Sequence, residues 1–185
     1  FQLIVQTLNI TILASGIAIG IPPIVIYLFP FRIGQNLQAI IWFLLRLIPI
    51  PISALLLLLI SNPTPAIASL ALGLHNAGIM GRLLKEGLEK QPMNNHDALI
   101  ASGAGPRSSW LYGLMAPQSL SYISYAAYRT DVMLRETSTI GIVGGCGLGW
   151  QLIESLSSFN WGQVSVLLMI YCVITFSGEV LSDKF

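Results

Sequence analysis

The stretch Asp97–Pro117, DALIASGAGPRSSWLYGLMAP, interrupts an otherwise very apolar chain. It opens on an acid followed by alanine, carries Gly103, and closes on Pro117 before another apolar run. Asn94 or Asn95 can cap a short helix over residues 95–102, and Gly103 and Gly105 can end it. Around it lie uncharged runs: Phe1–Phe31, Leu47–Gly81, Ser108–Tyr128 and Ser155–Gly178. Each is long enough to cross a bilayer as a helix, which takes ~20 residues. A soluble core has no use for uncharged runs of 31 or 35 residues.

Composition agrees. Of 185 residues, 54% are hydrophobic and 9% charged, against about 25% charged in soluble domains. The chain reads as an all-α, polytopic transmembrane bundle. Its net charge of +1 points to no partner. Cys146 and Cys172 lack metal-ligand spacing, and a disulfide is left open. The chain begins at Phe1, inside an apolar run with no basic flank or cleavage site, so this run is not a signal peptide. An N-terminal portion is expected to be missing.

Helix one is expected over about Leu3–Phe29, with Gly16 and Gly20 as a close-packing GxxxG face and a kink at Pro22–Pro23. Pro30–Gly34 is a turn. Helix two, about Gln35–Ile60, carries Arg46, Pro49 and Pro51. An arginine at that depth either serves a function or reaches back to the interface. Helix three runs from about Ala66 past Gly81. Its His75 is more often a packing residue than a ligand, although neighbouring Asn76 and Gly78 allow a polar cavity. Arg82–Gln91 is a solvated extension.

Helix four is expected from about Ser109 to Arg135. Tyr128, Asp131 and Arg135 share a face, with Arg129 roughly a quarter turn away. These charges form either an ion-paired anchor or the lining of a polar path. Gly141, Gly145 and Gly149, four apart, suggest helix packing; neither GxGxxG nor a P-loop is present. A short amphipathic segment, Trp150–Phe159, precedes the last helix, about Trp161–Leu181. Glu179, Asp183 and Lys184 mark its exit. The basic side chains Arg82, Lys85, Lys90 and Arg107 place the 82–107 loop in the cytoplasm. The same threading puts Arg32 and Lys184 there too, and Phe1, Ser61–Pro65 and Thr137–Asn160 outside.

Three blocks carry a resemblance: LALGLHNAGIMGRLLKE (Leu70–Glu86), DALIASGAG…YGLMAPQ (Asp97–Gln118) and YRTDVMLRETSTIGIVGGCGLGWQLIESLSSFNW (Tyr128–Trp161). RLIPIP (Arg46–Pro51) is a weaker fourth. Together they resemble the membrane permease of phosphonate-type ABC importers, a family that also handles phosphite and phosphate. Asp97 stands where the family has Glu, the Gly103–Pro117 interval is one residue longer than usual, and the family's first transmembrane helix is not found.

The resemblance implies a type I ABC importer permease fold over residues 1–185 as one domain. It implies a coupling loop at residues 91–107 that docks on an ATPase through Asp97, Ala98, Ala101, Gly103 and, beyond it, Pro117. It implies an external Gly-rich turn at residues 140–150, with Gly141, Gly144, Gly145, Gly147 and Gly149. The pathway candidates for a small oxyanion are Arg129, Arg135, Asp131, His75 and Arg46, since the guanidinium fork matches phosphonate oxygens. Pairing of Arg135 with Asp131 or Glu136 is the structural alternative. No catalytic residue, metal or cofactor is expected in this chain, ATP being bound by a partner subunit. The implied partners are the ABC ATPase, a periplasmic or extracellular solute-binding protein, a second permease copy and membrane lipid, with no nucleic acid. The implied location is the bacterial inner (plasma) membrane.

Two other readings stand beside this one: a permease for another small solute of methionine or amino-acid type, and a truncated remnant that does not transport. A membrane enzyme fits poorly. There is no HExxH or GxSxG, His75 and His96 are 21 residues apart, and intramembrane acids are sparse.

Overall fold

A bilayer core offers no water to backbone amides, so apolar runs that enter it fold as helices. The computed structural model describes residues 2–29, 32–144 and 146–182. Pro30, Phe31, Gly145, Asp183 and Lys184, which bear on the expected turns and exit, lie outside the described residues. The helices are α1 (Gln2–Leu28), α2 (Arg32–Leu47), α3 (Ile50–Leu58), α4 (Pro65–Glu89), α5 (Asn94–Ala101), α6 (Pro106–Trp110), α7 (Ala116–Gly144), α8 (Gly147–Ser157) and α9 (Trp161–Ser182). A π-helical turn, Leu111–Met115, joins α6 to α7. Helices α1, α4 and α9 are long and apolar enough to cross a membrane, and α2 with α3 makes a bent fourth candidate.

Helix α4 is the centre, packed by α1, α2, α3 and α7. Its small residues admit the neighbours. A Cβ on Gly73 would lie 2.8 Å from the Ile17 side chain, and one on Gly78 would lie 2.9 Å from the Trp42 carbonyl. Gly81 lies beneath the indole of Trp42, which is fully buried. Among the described residues nothing lies within 4 Å of a Cβ placed on Gly16 or Gly20, so the GxxxG face packs against no described helix. The close approach between α1 and α4 uses the glycine of α4 instead.

Helix two is not continuous. It breaks at Ile48–Pro49, and its halves meet at 90°. The Ile52 amide bonds to the Pro49 carbonyl, so it does not reach Ile48. His75 takes its place, its Nδ1 donating to the Ile48 carbonyl at 3.0 Å. In α1, by contrast, Pro22 and Pro23 stay within one helix. Pro23 has no N–H for the Ile19 carbonyl four residues back, and the Tyr122 hydroxyl donates to that carbonyl at 2.8 Å.

Helix four also differs. The chain from Pro106 forms α6, the π turn and then α7, which runs on to Gly144 rather than stopping near Arg135. The π turn falls inside the Gly103–Pro117 interval. Beyond α7 the chain reverses, so Gly141 and Gly149 stand on two helices and not along one face. They meet backbone to backbone: a Cβ on Gly149 would lie 2.7 Å from the Ser138 carbonyl oxygen. Side chains of α1 cap α8, with Gln6 accepting from the Gly147 amide at 3.2 Å and Thr7 from the Leu148 amide at 3.0 Å. These are amides a helix start leaves without partners.

Candidate transport site and coupling surface

The charges in the middle of α7 divide between two neighbours. At about 100° per residue, Arg129 and Glu136 fall on nearly the same side of the helix, with Asp131 and Arg135 towards the other. On the first side, Arg129 Nε donates to Asn76 Oδ1 of α4 at 2.6 Å, and its Nη2 donates to Glu136 Oε1 at 3.1 Å. Asn76 Nδ2 closes the triangle with a 2.9 Å bond to Glu136 Oε2 and donates also to the Leu72 carbonyl. Asn76 is fully buried. The Arg129–Glu136 pair is only partly exposed, so unmade hydrogen bonds would be costly, and the Asn76 amide supplies them.

On the second side, Arg135 Nη2 binds Asp131 Oδ2 at 2.7 Å and reaches Glu179 of α9 at 3.4 Å. Asp131 is buried, and its Oδ1 has no hydrogen-bond partner among the described residues. Gly178 of α9 allows that approach, since a Cβ there would lie 3.0 Å from Asp131 Oδ1. Tyr171 of α9 donates to the Leu134 carbonyl at 2.8 Å. Arg135 therefore pairs with Asp131 and Glu179, while Glu136 serves Arg129. Arg129 stands well away from the Asp131–Arg135 face rather than a quarter turn from it. Asn76 was read only as a neighbour of His75. The signal for the Arg129–Glu136 pair was their spacing of seven, two helical turns.

The remaining pathway candidates are elsewhere. His75 caps the break after Ile48, and Arg46 lies over the Phe43 ring, 5.8 Å from its centroid. Among the described residues no cluster of His, Cys, Asp and Glu could hold a metal.

The expected coupling loop presents α5, which has no buried residue. Its start differs from expectation: Met93 is the N-cap residue, without a side-chain bond, and neither asparagine caps it. Its end follows from Gly103, whose φ is +89°. The Gly103 amide bonds to Ile100 at 2.9 Å and the Ala104 amide to Leu99 at 3.0 Å, a Schellman closure. Asp97, Ala98, Ala101 and Gly103 are all exposed, as is Pro117 in the first turn of α7. Below α5, Gly113 of the π turn leaves room for the neighbouring backbone; a Cβ there would lie 2.8 Å from His96 Cα. Gln91 donates to Gln118 at 2.8 Å, tying the chain beyond α4 to the start of α7.

The cryptic phosphonate transport system permease protein PhnE2 of Escherichia coli K12 is 30% identical over 115 residues, 62% of this chain and 94% of that protein. The chain belongs to the phosphite and phosphonate transport system permeases. It is also 38% identical over 141 residues to a Stutzerimonas stutzeri protein named as the phosphite transport system permease HtxE. That match covers 76% of this chain and 54% of the relative, so the chain spans about half that protein's length. The structure of an amino acid ABC transporter with histidines superposes with a TM-score of 0.78 at 18% identity, covering 98% of this chain and 90% of the other. That likeness fixes the fold, which is the ABC importer permease fold. No protein-family model matches the chain. Permeases of this kind are multi-pass transport components and not enzymes.

Proposed function

We infer that this permease forms the path for a phosphorus oxyanion, such as phosphonate, phosphite or phosphate, across a bacterial inner membrane. The observation that carries this reading is the likeness to the two named permeases, whose names specify phosphite and phosphonate. The loop bearing α5 faces the cytoplasm, where a separate ATPase subunit binds ATP and docks on Asp97, Ala98 and Ala101. A second permease copy completes the path, and an external binding protein delivers the solute. ATP-driven closure brings the two α5 helices together and rocks the bundles between open states. Arg135, half exposed, is the cation an arriving anion meets first; Arg129 lies behind Glu136.

The test is ATPase activity of the reconstituted complex, with cognate ATPase and binding protein, as phosphonate, phosphite, phosphate and methionine are titrated in turn. Stimulation by a phosphorus oxyanion, lost on Gly103→Asp, is expected. A side chain at Gly103 meets nothing within 4 Å, but its φ of +89° strains any substitution there, so Gly103→Ala, which carries the strain without the charge, is the control that isolates the docking surface. Stimulation by methionine alone would move the chain to amino-acid import. Failure to assemble with any ATPase would leave a non-transporting remnant.

A further inference from the structure

Charge also gathers where α2 crosses the end of α4, in a place the transport reading leaves unused. Trp42, Arg46, Arg82, Lys85, Glu86 and Glu89 surround a cavity of about 250 Å³. Both carboxylates are already engaged: Glu86 by Arg82, and Glu89 by Lys85 at 3.6 Å. Among the described residues Arg46 makes no hydrogen bond or ion pair; it lies over the Phe43 ring and acts on the Glu86 carboxylate only through space. Three cations thus face two carboxylates, with the surplus on Arg46. Trp42, a wall of the cavity, keeps its buried indole N–H without a partner among the described residues.

The position matters as much as the charge. The uncharged run of α4 ends at Gly81, and the cavity begins at Arg82, so it sits where the apolar span gives way to polar chain. Beside it, α2 exposes an apolar flank that includes Phe43, Leu44 and Leu47. Basic pockets between membrane helices, close to the headgroup level, hold anionic lipid.

We propose that this cavity binds the phosphate of an anionic phospholipid. The Arg46 fork takes the phosphoryl oxygens, and the acyl chains lie along Phe43 and Leu47. A free phosphate shares the oxyanion chemistry. However, it carries more negative charge past Glu86 and Glu89, and it has no use for the apolar flank.

The experiment follows thermal unfolding of the detergent-solubilised chain by tryptophan fluorescence, titrated with short-chain phosphatidylglycerol, phosphatidylcholine or inorganic phosphate. Phosphatidylglycerol is expected to raise the melting temperature saturably, and the other two are not. Arg46→Gln should weaken the phosphatidylglycerol effect about fivefold, the value of one cation near a lipid surface. Glu89→Gln should strengthen it, and Arg107→Gln on the exposed α6 should leave it unchanged. An unaltered response in Arg46→Gln, or an equal one to phosphatidylcholine, would overturn the proposal. Inorganic phosphate reproducing the shift would make this a free-anion site and reject the lipid. If Arg46→Gln does not fold, a Glu89→Gln response no stronger than that of the unmodified chain overturns it.

Discussion

The Tyr122 hydroxyl of α7 bonds to the Ile19 carbonyl of α1, 103 positions away, because Pro23 leaves that carbonyl without its helical partner. Tyr122 is buried, so no solvent substitutes for it. Tyr122→Phe should therefore destabilise the bundle by about 1–3 kcal/mol, the cost of an unmade buried bond. In a Pro23→Ala background the backbone amide at 23 serves Ile19, and the same change should cost much less. Thermal melting of the four proteins decides this; equal losses in both backgrounds would reject the link.

The Arg129–Glu136–Asn76 triangle makes a second prediction. Glu136→Ala leaves a partly buried guanidinium short of its anion, though still bonded to Asn76, and should cost about 1–3 kcal/mol. Replacing Arg129 and Glu136 together by methionine should restore most of that loss. Denaturant unfolding in mixed micelles measures both. A double variant as unstable as the single one would show that the charges are not coupled.

Glycines sort by what a methyl group would meet. Gly141→Ala drives a Cβ into the Gly149 backbone and should cost about 2 kcal/mol, in the range for overpacking. Gly16→Ala and Gly20→Ala meet nothing among the described residues and should be neutral or slightly stabilising through helix propensity. Melting temperatures rank the three, and a Gly141→Ala protein as stable as its parent would contradict the α7–α8 contact.

At the end of α5 the cost is purely conformational. Gly103→Ala keeps the space but not the ease of φ +89°, and should weaken the helix end by about 1 kcal/mol. Hydrogen exchange at Gly103 and Ala104 should quicken while the global melting point holds. A matching fall in global stability would mean that α5 does not open on its own.

Much of this arrangement was readable from the amino acids. The apolar runs gave the helices, and Gly103 gave the end of α5. The turn of α2 into α3 was half legible: Pro49 and Pro51 mark a break, but hydropathy does not change across it, and the His75 bond to the Ile48 carbonyl appears only in the fold. The face shared by Asp131 and Arg135 was legible from spacing, but its contact with Gly178 and Glu179 was not, since periodicity names a face and never the neighbour. Asn76 escaped for the same reason: its role appears only when α4 and α7 are side by side.

The π turn at Leu111–Met115 bears on how this gene can tolerate length change. A π turn holds one residue more than the α turn it replaces. Loss of one residue there leaves an ordinary helix, with Tyr122, Arg129 and Arg135 still facing Ile19, Asn76 and Glu179. Loss of one residue a turn or two later, inside α7, swings everything beyond it by about 100° and separates Arg129 from Asn76. One short segment is thus a reservoir for insertions and deletions, while the helix that follows must keep its count.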